Sequence, residues 1–283
     1  MLFSLAPFVS VLFALTAFAT IPFGDTLRIG ERVIPLQAVT LNVGVLYVFA
    51  MLSLGVYGVM MAGWSSGNNF ALLGGQRAAA LMISAEVAIG ASIMGVIMIY
   101  GSLNMMDIVR GQGQLLWGWL PKWGIITQPL AFILFITAGI AATKRIPFDM
   151  PEGESEIIGY NVEYSGMKFG MFLMTDMVET IVIAGMCVSL FLGGWQVPFL
   201  FADGFRFPWG TVLSVSPIVV TLLQVGAFVT KVAVMIFILM LIRWTLPRFR
   251  YDQTMRLGWL GLFPLSILNI VLTGAVLVAW GGR

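Results

Sequence analysis

Ionisable residues are rare in this sequence, and a few of them fall inside long apolar segments. Glu86 lies in ISAEVAIG, Asp176 and Glu179 lie in FLMTDMVETI, and Lys231 lies in FVTKVAVM. Asp176 and Glu179 are three residues apart, a spacing that places both on one face of a helix. Ionisable residues at membrane depth are costly and indicate functional sites. We therefore interpret the three acids as a candidate proton-carrying track with Lys231 as a candidate counter-ion. Helix-end residues that snorkel or pair are the plainer alternative.

A second group of acids lies between two apolar segments, from Lys144 to Lys168. This stretch contains five of the 13 acids of the chain: Asp149, Glu152, Glu154, Glu156 and Glu163. Apolar residues are interleaved with them, and Pro147 and Pro151 restrict the backbone. A stiff, packed loop predicts carboxylates in a partly dry environment, where desolvation and mutual repulsion raise their pKa values and favour proton uptake. A solvated acidic loop is the alternative.

Long apolar segments must position these residues. The chain has 283 residues, of which 59% are hydrophobic and 10% charged, whereas soluble domains carry about 25% charged residues. A helix needs about 20 mostly apolar residues to cross a bilayer. We predict an all-α integral membrane protein, a single domain over 1–283 with seven spans and short loops. The predicted spans are Leu2–Phe23, Ala38–Ala62, Ala78–Tyr100, Gly124–Thr143, Phe169–Gly193, Ile218–Ile242 and Leu257–Trp280.

Composition also excludes several chemistries. With no His and only Cys187, the chain has no His ligand for haem and cannot ligate an iron–sulfur cluster by itself. The net charge of +2 gives no reason to expect nucleic acid as a partner. Four arginines cluster beside the sixth predicted span: Arg243, Arg248, Arg250 and Arg256. Because positive charge favours the cytoplasmic side, we expect this end of the bundle, and the acidic loop with it, in the cytoplasm.

Several long motifs resemble one family. The stretch Arg145–Phe172, RIPFDMPEGESEIIGYNVEYSGMKFGMF, resembles the signature of the membrane subunit of respiratory complex I that forms the quinone chamber, known as the H subunit. Further stretches resemble this family in the same order along the chain: Gly55–Val87, Gly101–Val109, Ser189–Trp195 and Leu241–Trp259. Several long motifs in one order are far more specific than any short pattern.

The resemblance implies a subunit of a proton-pumping NADH:quinone oxidoreductase that is not catalytic alone. It implies a bacterial plasma membrane location and contacts with the lipid bilayer, the iron–sulfur and quinone-site subunits of the peripheral arm and small membrane subunits. By this resemblance the chain binds no cofactor, quinone is the substrate, and the iron–sulfur clusters and flavin belong to partner subunits.

Residues carry over from the family position by position. The acids that match those linking quinone reduction to proton translocation are Glu86, Asp149, Glu152, Glu154, Glu156, Glu163 and Asp176. Glu179 joins this set through its spacing from Asp176. Arg145, Pro147 and Phe148 match the start of the family's quinone-side loop. Arg77 matches the Arg of the short loop before the helix that contains Glu86.

The sequence also departs from the family, which has eight spans. Met1 corresponds to the start of the family's second helix, so we expect the first helix and part of the quinone entrance to be missing from this chain. Ala85 replaces a common Tyr, and Ser53 stands where some relatives have another acid.

Other functions stay open. The nearest alternative is the membrane subunit of an F420H2- or ferredoxin-fed complex or of an energy-converting hydrogenase. A photoreceptor with a Schiff base at Lys231 and a free-standing transporter are more distant alternatives.

Overall fold

The computed structural model describes residues 1–29, 32–116, 119–150, 159–201, 204–206, 212–214 and 216–281. Glu152, Glu154, Glu156 and Pro151 lie outside the described residues. The helices of the described part are α1 (Leu2–Phe18), α2 (Gly44–Ser65), α3 (Asn69–Tyr100), α4 (Met105–Gln112), α5 (Gly124–Thr127), α6 (Pro129–Ala142), α7 (Met167–Phe191), α8 (Pro217–Thr245), α9 (Tyr251–Arg256) and α10 (Phe263–Gly281). A π-helical turn, Leu257–Leu262, joins α9 to α10.

Short strands form small antiparallel sheets in the connections between helices. The strands are β1 (Thr26–Ile29), β2 (Arg32–Pro35), β3 (Leu115–Leu116), β4 (Leu120–Pro121), β5 (Leu200–Phe201), β6 (Gly204–Arg206) and β7 (Val212–Ser214). β1 pairs with β2 with Thr26 opposite Pro35, and β3 pairs with β4. β6 lies between β5 and β7. The sequence predicted plain short loops here.

The all-α membrane fold is confirmed. Within the described residues, five helices are long and apolar enough to cross a membrane by length and composition: α2, α3, α7, α8 and the continuous stretch Tyr251–Ala279. Two predicted spans are shorter apolar helices, namely α1 with 17 residues and α6 with 14. The predicted span Gly124–Thr143 is interrupted because Gln128 leaves the helical conformation (φ −139°, ψ 59°), and Pro129 then begins α6.

The core lies between α2, α3, α6 and α7. Large side chains such as Ile89, Phe135 and Phe191 are fully buried there. α2 and α3 approach closely because both carry glycine at the crossing: a Cβ on Gly63 would lie 3.3 Å from Cα of Gly75. This contact aligns α2 with α3 and thereby sets the positions of the polar residues further along both helices.

The end of α6 determines the geometry of the site. α6 ends at Ala142, and the chain continues as a buried loop, Thr143–Met150, beside the middle of α7. α7 begins at Met167, nine residues before Asp176, which is about 14 Å along a helix. Irregular backbone at such depth is tolerated where protein buries it. The loop is attached to the segment before α9, because the Phe249 backbone N–H donates to the Pro147 carbonyl (3.0 Å).

Candidate functional site: a buried cation–carboxylate cluster

A buried lysine lies between two carboxylates of α7. The Lys144 Nζ atom is 3.0 Å from Asp176 Oδ1 and 3.5 Å from Glu179 Oε2. The side chains of Lys144 and Glu179 are 4% and 6% exposed, and that of Asp176 is 17% exposed. The Lys144 ammonium also lies 5.9 Å from the ring centroid of Tyr160, which is buried. Because an unpaired buried charge is strongly destabilising, each member of this cluster depends on the others.

Glu179 and Glu86 line one small cavity from opposite helices. Its other walls are mostly apolar: Phe49, Leu52, Met82, Ala142, Thr143, Ile89 and Ile183. The cavity has a volume of about 10 Å³, roughly the room that one water molecule needs. The cavity therefore joins the carboxylate of α3 to the cluster on α7 within the apolar core.

Ser53 attaches Glu86 to α2. Its hydroxyl donates a hydrogen bond to Glu86 Oε2 at 2.5 Å. Gly55, on the same helix, faces the other carboxylate: a Cβ at this position would lie 3.8 Å from Glu179 Oε1. α2 thus contacts both acids of the cavity. Ser53, which stands where the family resemblance implies an acid in some relatives, supplies a hydrogen-bond donor in this chain.

The predicted track of Glu86, Asp176 and Glu179 is brought together by the structure. The first residues of the quinone-side loop lie next to it. The Arg145 guanidinium donates to Met177 Sδ (3.1 Å), one residue after Asp176. Asp149 is half-buried between Phe148 and Met150, which are both buried. Phe148 stacks on Phe249, with ring centroids 5.5 Å apart.

Two further predicted residues lie away from the cluster. Glu163 is exposed and accepts a hydrogen bond from Asn68 Nδ2 (3.0 Å), at the turn between α2 and α3. The Arg77 guanidinium lies over the ring of Tyr251, 5.6 Å from its centroid. Arg77 is part of α3 itself and not of a loop, because α3 begins nine residues before the predicted span.

The expected role of Lys231 as counter-ion of the acids is wrong. Its ammonium donates to the carbonyls of Leu192 (2.8 Å), Gly194 (3.0 Å) and Gln196 (2.6 Å), beyond the C-terminal end of α7. It also lies 4.6 Å from the ring centroid of Trp123. Leu192 is 13 residues from Glu179, about 20 Å along a helix. Lys144 takes the counter-ion role instead.

The loop between Gly159 and Gly166 packs on the ends of α1, α2 and α3. The Tyr164 hydroxyl lies 3.2 Å from Ser65 Oγ, and its ring stacks on Phe3 with centroids 4.0 Å apart. Burial raises the pKa of Tyr164 above its ordinary value, so the phenol stays neutral. Gly74 of α3 contacts the backbone of Gly159 closely. These contacts fix Tyr160 beside the Lys144 ammonium.

Sequence reasoning missed Lys144 and Ser53 as site residues. Lys144 directly follows a predicted span and counted there as an ordinary loop cation. The sequence offered one hint, because Lys144 lies near the end of a predicted span and shortly before Pro147. However, Lys144 lies beside Asp176 only because α6 is short. Ser53 carried no signal beyond its departure from the family pattern.

This arrangement can bind and release protons inside an apolar bundle. Among the described residues, no group of three or more His, Cys, Asp or Glu side chains could hold a metal ion. The fold and the site therefore define a multi-pass helical membrane protein with ion-paired carboxylates in its core. The family model described as NADH dehydrogenase matches residues 1–274, and the chain belongs to this family.

Curated relatives agree with this family along nearly the whole chain. An NADH-quinone oxidoreductase H subunit of Cytophaga hutchinsonii is 41% identical over 278 residues, covering 98% of this chain and 77% of the relative. The NADH-quinone oxidoreductase H subunit of Thermomicrobium roseum is 43% identical over 285 residues, covering 99% of this chain and 77% of the relative. The resemblance inferred from the sequence motifs is confirmed.

Proposed function

We propose that this chain serves as the quinone-chamber membrane subunit, the H subunit, of a proton-pumping NADH-quinone oxidoreductase. Membership of the family and the names of the relatives support this assignment. The observation that carries the mechanism is the cavity shared by Glu86 and Glu179, with Lys144 and Asp176 paired beside it. Carboxylates in such surroundings change protonation in response to nearby charge.

In this proposal, quinone reduction near the loop 144–166 is the source of that charge. Electrons arrive from iron–sulfur clusters of the partner subunits of the peripheral arm, where the flavin also resides, and this chain binds no cofactor. Full reduction of a quinone takes up two electrons and two protons, so negative charge develops transiently at the headgroup. Asp149 and Arg145 lie in the loop that leads directly to Lys144, which supports an electrostatic connection between the quinone and the cluster.

The remaining acids of the loop belong to the same proposal. Asp149 and Glu163, together with Glu152, Glu154 and Glu156, are proposed to respond to the quinone charge. Asp176, Glu179 and Glu86 are proposed to continue the track into the bundle. Arg77, Arg145 and Phe148 are proposed as supporting residues. Glu163 is exposed and hydrogen-bonded to Asn68, which suits a position near water at the start of the track.

Substitution of Glu86 tests the proposal. We expect Glu86→Gln, assembled in the complete oxidoreductase in inverted vesicles, to abolish NADH-driven proton uptake because the cavity loses one of its proton-binding groups. The matched control is Asp107→Asn, since the Asp107 side chain is 52% exposed on α4. Full pumping by Glu86→Gln at an unchanged rate of NADH oxidation would contradict the proposal.

We further propose that the acidic loop faces the cytoplasm of a bacterial plasma membrane. The arginines between 243 and 256 support this side. The only cysteine of the chain, Cys187, is 1% exposed, so the wild-type background for thiol labelling is low. An impermeant thiol reagent is expected to label Glu163→Cys in inverted vesicles, and Trp119→Cys in right-side-out vesicles. The reverse pattern would place the loop outside.

A further inference from the structure

Lys144 is a buried lysine whose backbone is in the left-handed region, with φ of +54°. Helices commonly end with one residue in this conformation, and Lys144 directly follows Thr143, the C-cap of α6. The ammonium is 3.0 Å from Asp176 and 3.5 Å from Glu179, and thus bridges two acids of one helix face. Lys144 follows the C-terminal end of α6, where a cation is favourable, but its burial and its two carboxylate partners distinguish it from an ordinary helix-end cation.

The charges around Lys144 do not balance. Asp176 and Glu179 face it from α7, Glu86 lies across the cavity on α3, and Tyr160 faces it from the loop. Two carboxylates at this spacing repel each other, and without a cation one of them would hold a proton. With the Lys144 ammonium between them, both can be ionised, and the three groups then carry a net charge of −1.

We propose that Lys144 is a positioning residue for proton uptake by Glu179. In the resting protein its ammonium holds Asp176 and Glu179 ionised together. When the ammonium shifts fully to Asp176, the Glu179 carboxylate takes up one proton from water, and the net charge of the three groups rises from −1 to 0. Return of the ammonium releases the proton. This inference rests on the proposed function, which it deepens by naming the residue that controls protonation.

The geometry favours this division of roles between the two acids. Asp176 is the nearer partner of Lys144 and the more exposed of the two carboxylates. Glu179 is the more distant partner, and it lines the cavity shared with Glu86. When the Lys144 ammonium leaves Glu179, the Glu179 carboxylate faces only the small cavity and Glu86. The neutral, protonated form of Glu179 is favoured there, because a buried charge without a partner is costly.

The test uses the complete oxidoreductase with Lys144→Met, Lys144→Arg and the double variant Lys144→Met/Glu179→Gln. The first readout is the infrared C=O stretching band of a protonated carboxylic acid in the resting enzyme. We expect this band to appear in Lys144→Met, to be absent in Lys144→Arg and to be lost again in the double variant. Lys122→Met is the control, because its ammonium contacts the ring of Tyr100 and no carboxylate among the described residues.

The second readout is the number of protons pumped per electron. Lys144→Met is expected to lower it, because Glu179 then stays protonated throughout the reaction cycle and no longer takes up and releases a proton, while Lys144→Arg retains it. An unchanged ratio in Lys144→Met, or an infrared band that persists in the double variant, would overturn the proposal. If Lys144→Met does not assemble, the inference rests on Lys144→Arg and the double variant, and loss of pumping in Lys144→Arg without a new band would refute it.

The proposed function and the role of Lys144 fail separately. If Glu86→Gln abolishes pumping and Lys144→Met does not affect it, the proposed function stands and the role of Lys144 is refuted. If Lys144→Met produces the carboxylic acid band and lowers the pumping ratio but Glu86→Gln pumps normally, the role of Lys144 stands and the proposed track through Glu86 is refuted.

Discussion

Gly74 offers a direct test of how the loop is held against the site. A Cβ at this position of α3 would lie 3.1 Å from the carbonyl carbon of Gly159 and 3.2 Å from the backbone N of Tyr160. Carbon atoms pack favourably at about 3.5–4.0 Å, so Gly74→Ala must displace the loop by a few tenths of an ångström. That displacement moves Tyr160 relative to the Lys144 ammonium. The matched control is Gly90→Ala on the same helix, where nothing lies within 4 Å of the new Cβ.

The two variants separate the steric cost from helix propensity. Replacing glycine by alanine inside a helix gains about 0.8–1.0 kcal/mol at either position. Overpacking costs about 1–3 kcal/mol and applies at Gly74 alone. The difference in free energy of unfolding between the variants is therefore expected to be about 1–3 kcal/mol, with Gly74→Ala the less stable.

Thermal unfolding of the purified complex in detergent measures this difference. Gly74→Ala is expected to unfold at the lower temperature of the two. Gly74→Ala should also lower the rate of coupled pumping, because Tyr160 is moved from its place beside Lys144. Equal Tm values for Gly74→Ala and Gly90→Ala would refute the proposed contact between α3 and the loop.

Two other substitutions distinguish structural from coupling roles. Lys231→Met removes three hydrogen bonds to carbonyls after α7, each of a type worth about 1.5–3 kcal/mol; Tm should fall while the protons pumped per electron stay unchanged, and a lower ratio would contradict a purely structural role. Tyr164→Phe removes the contact with Ser65. Because burial raises the pKa of Tyr164, its phenol is neutral throughout the working pH range, so the pH profile of turnover should not change. A profile that shifts in Tyr164→Phe would show that this phenol ionises during turnover.

Apolar length was enough to predict most of the bundle, but not the ends of its helices. The span around Glu86 was predicted to begin at Ala78, whereas α3 begins at Asn69 because the Asn68 side chain accepts a hydrogen bond from the Phe70 backbone N–H. Gln76 and Arg77 interrupt the apolar pattern without interrupting the helix. Hydropathy therefore predicted only the apolar part of α3, whereas the first residue of the helix is determined by the N-cap at Asn68.

The acids of the site were predictable, and their partners were not. Charge within apolar segments identified Glu86, Asp176 and Glu179 without any structure. Their cation depends on tertiary geometry, since Lys144 reaches them only because α6 ends early and the loop after it is buried. Lys231 had the more suggestive position in the sequence, yet its partners are carbonyls of the segment after α7. Sequence spacing gives the face of a helix and leaves open which distant segment meets that face.

The central claim is that the carboxylates of α3 and α7 take up a proton when quinone is reduced. The most direct measurement is the infrared difference spectrum between the quinone-reduced and oxidised complete enzyme. We predict a carboxylic acid C=O band that appears on reduction, disappears in Glu179→Gln and is altered in Glu86→Gln, while Asp107→Asn leaves it unchanged. A spectrum without this band, or a band that is identical in Glu179→Gln and the wild-type enzyme, would contradict the claim.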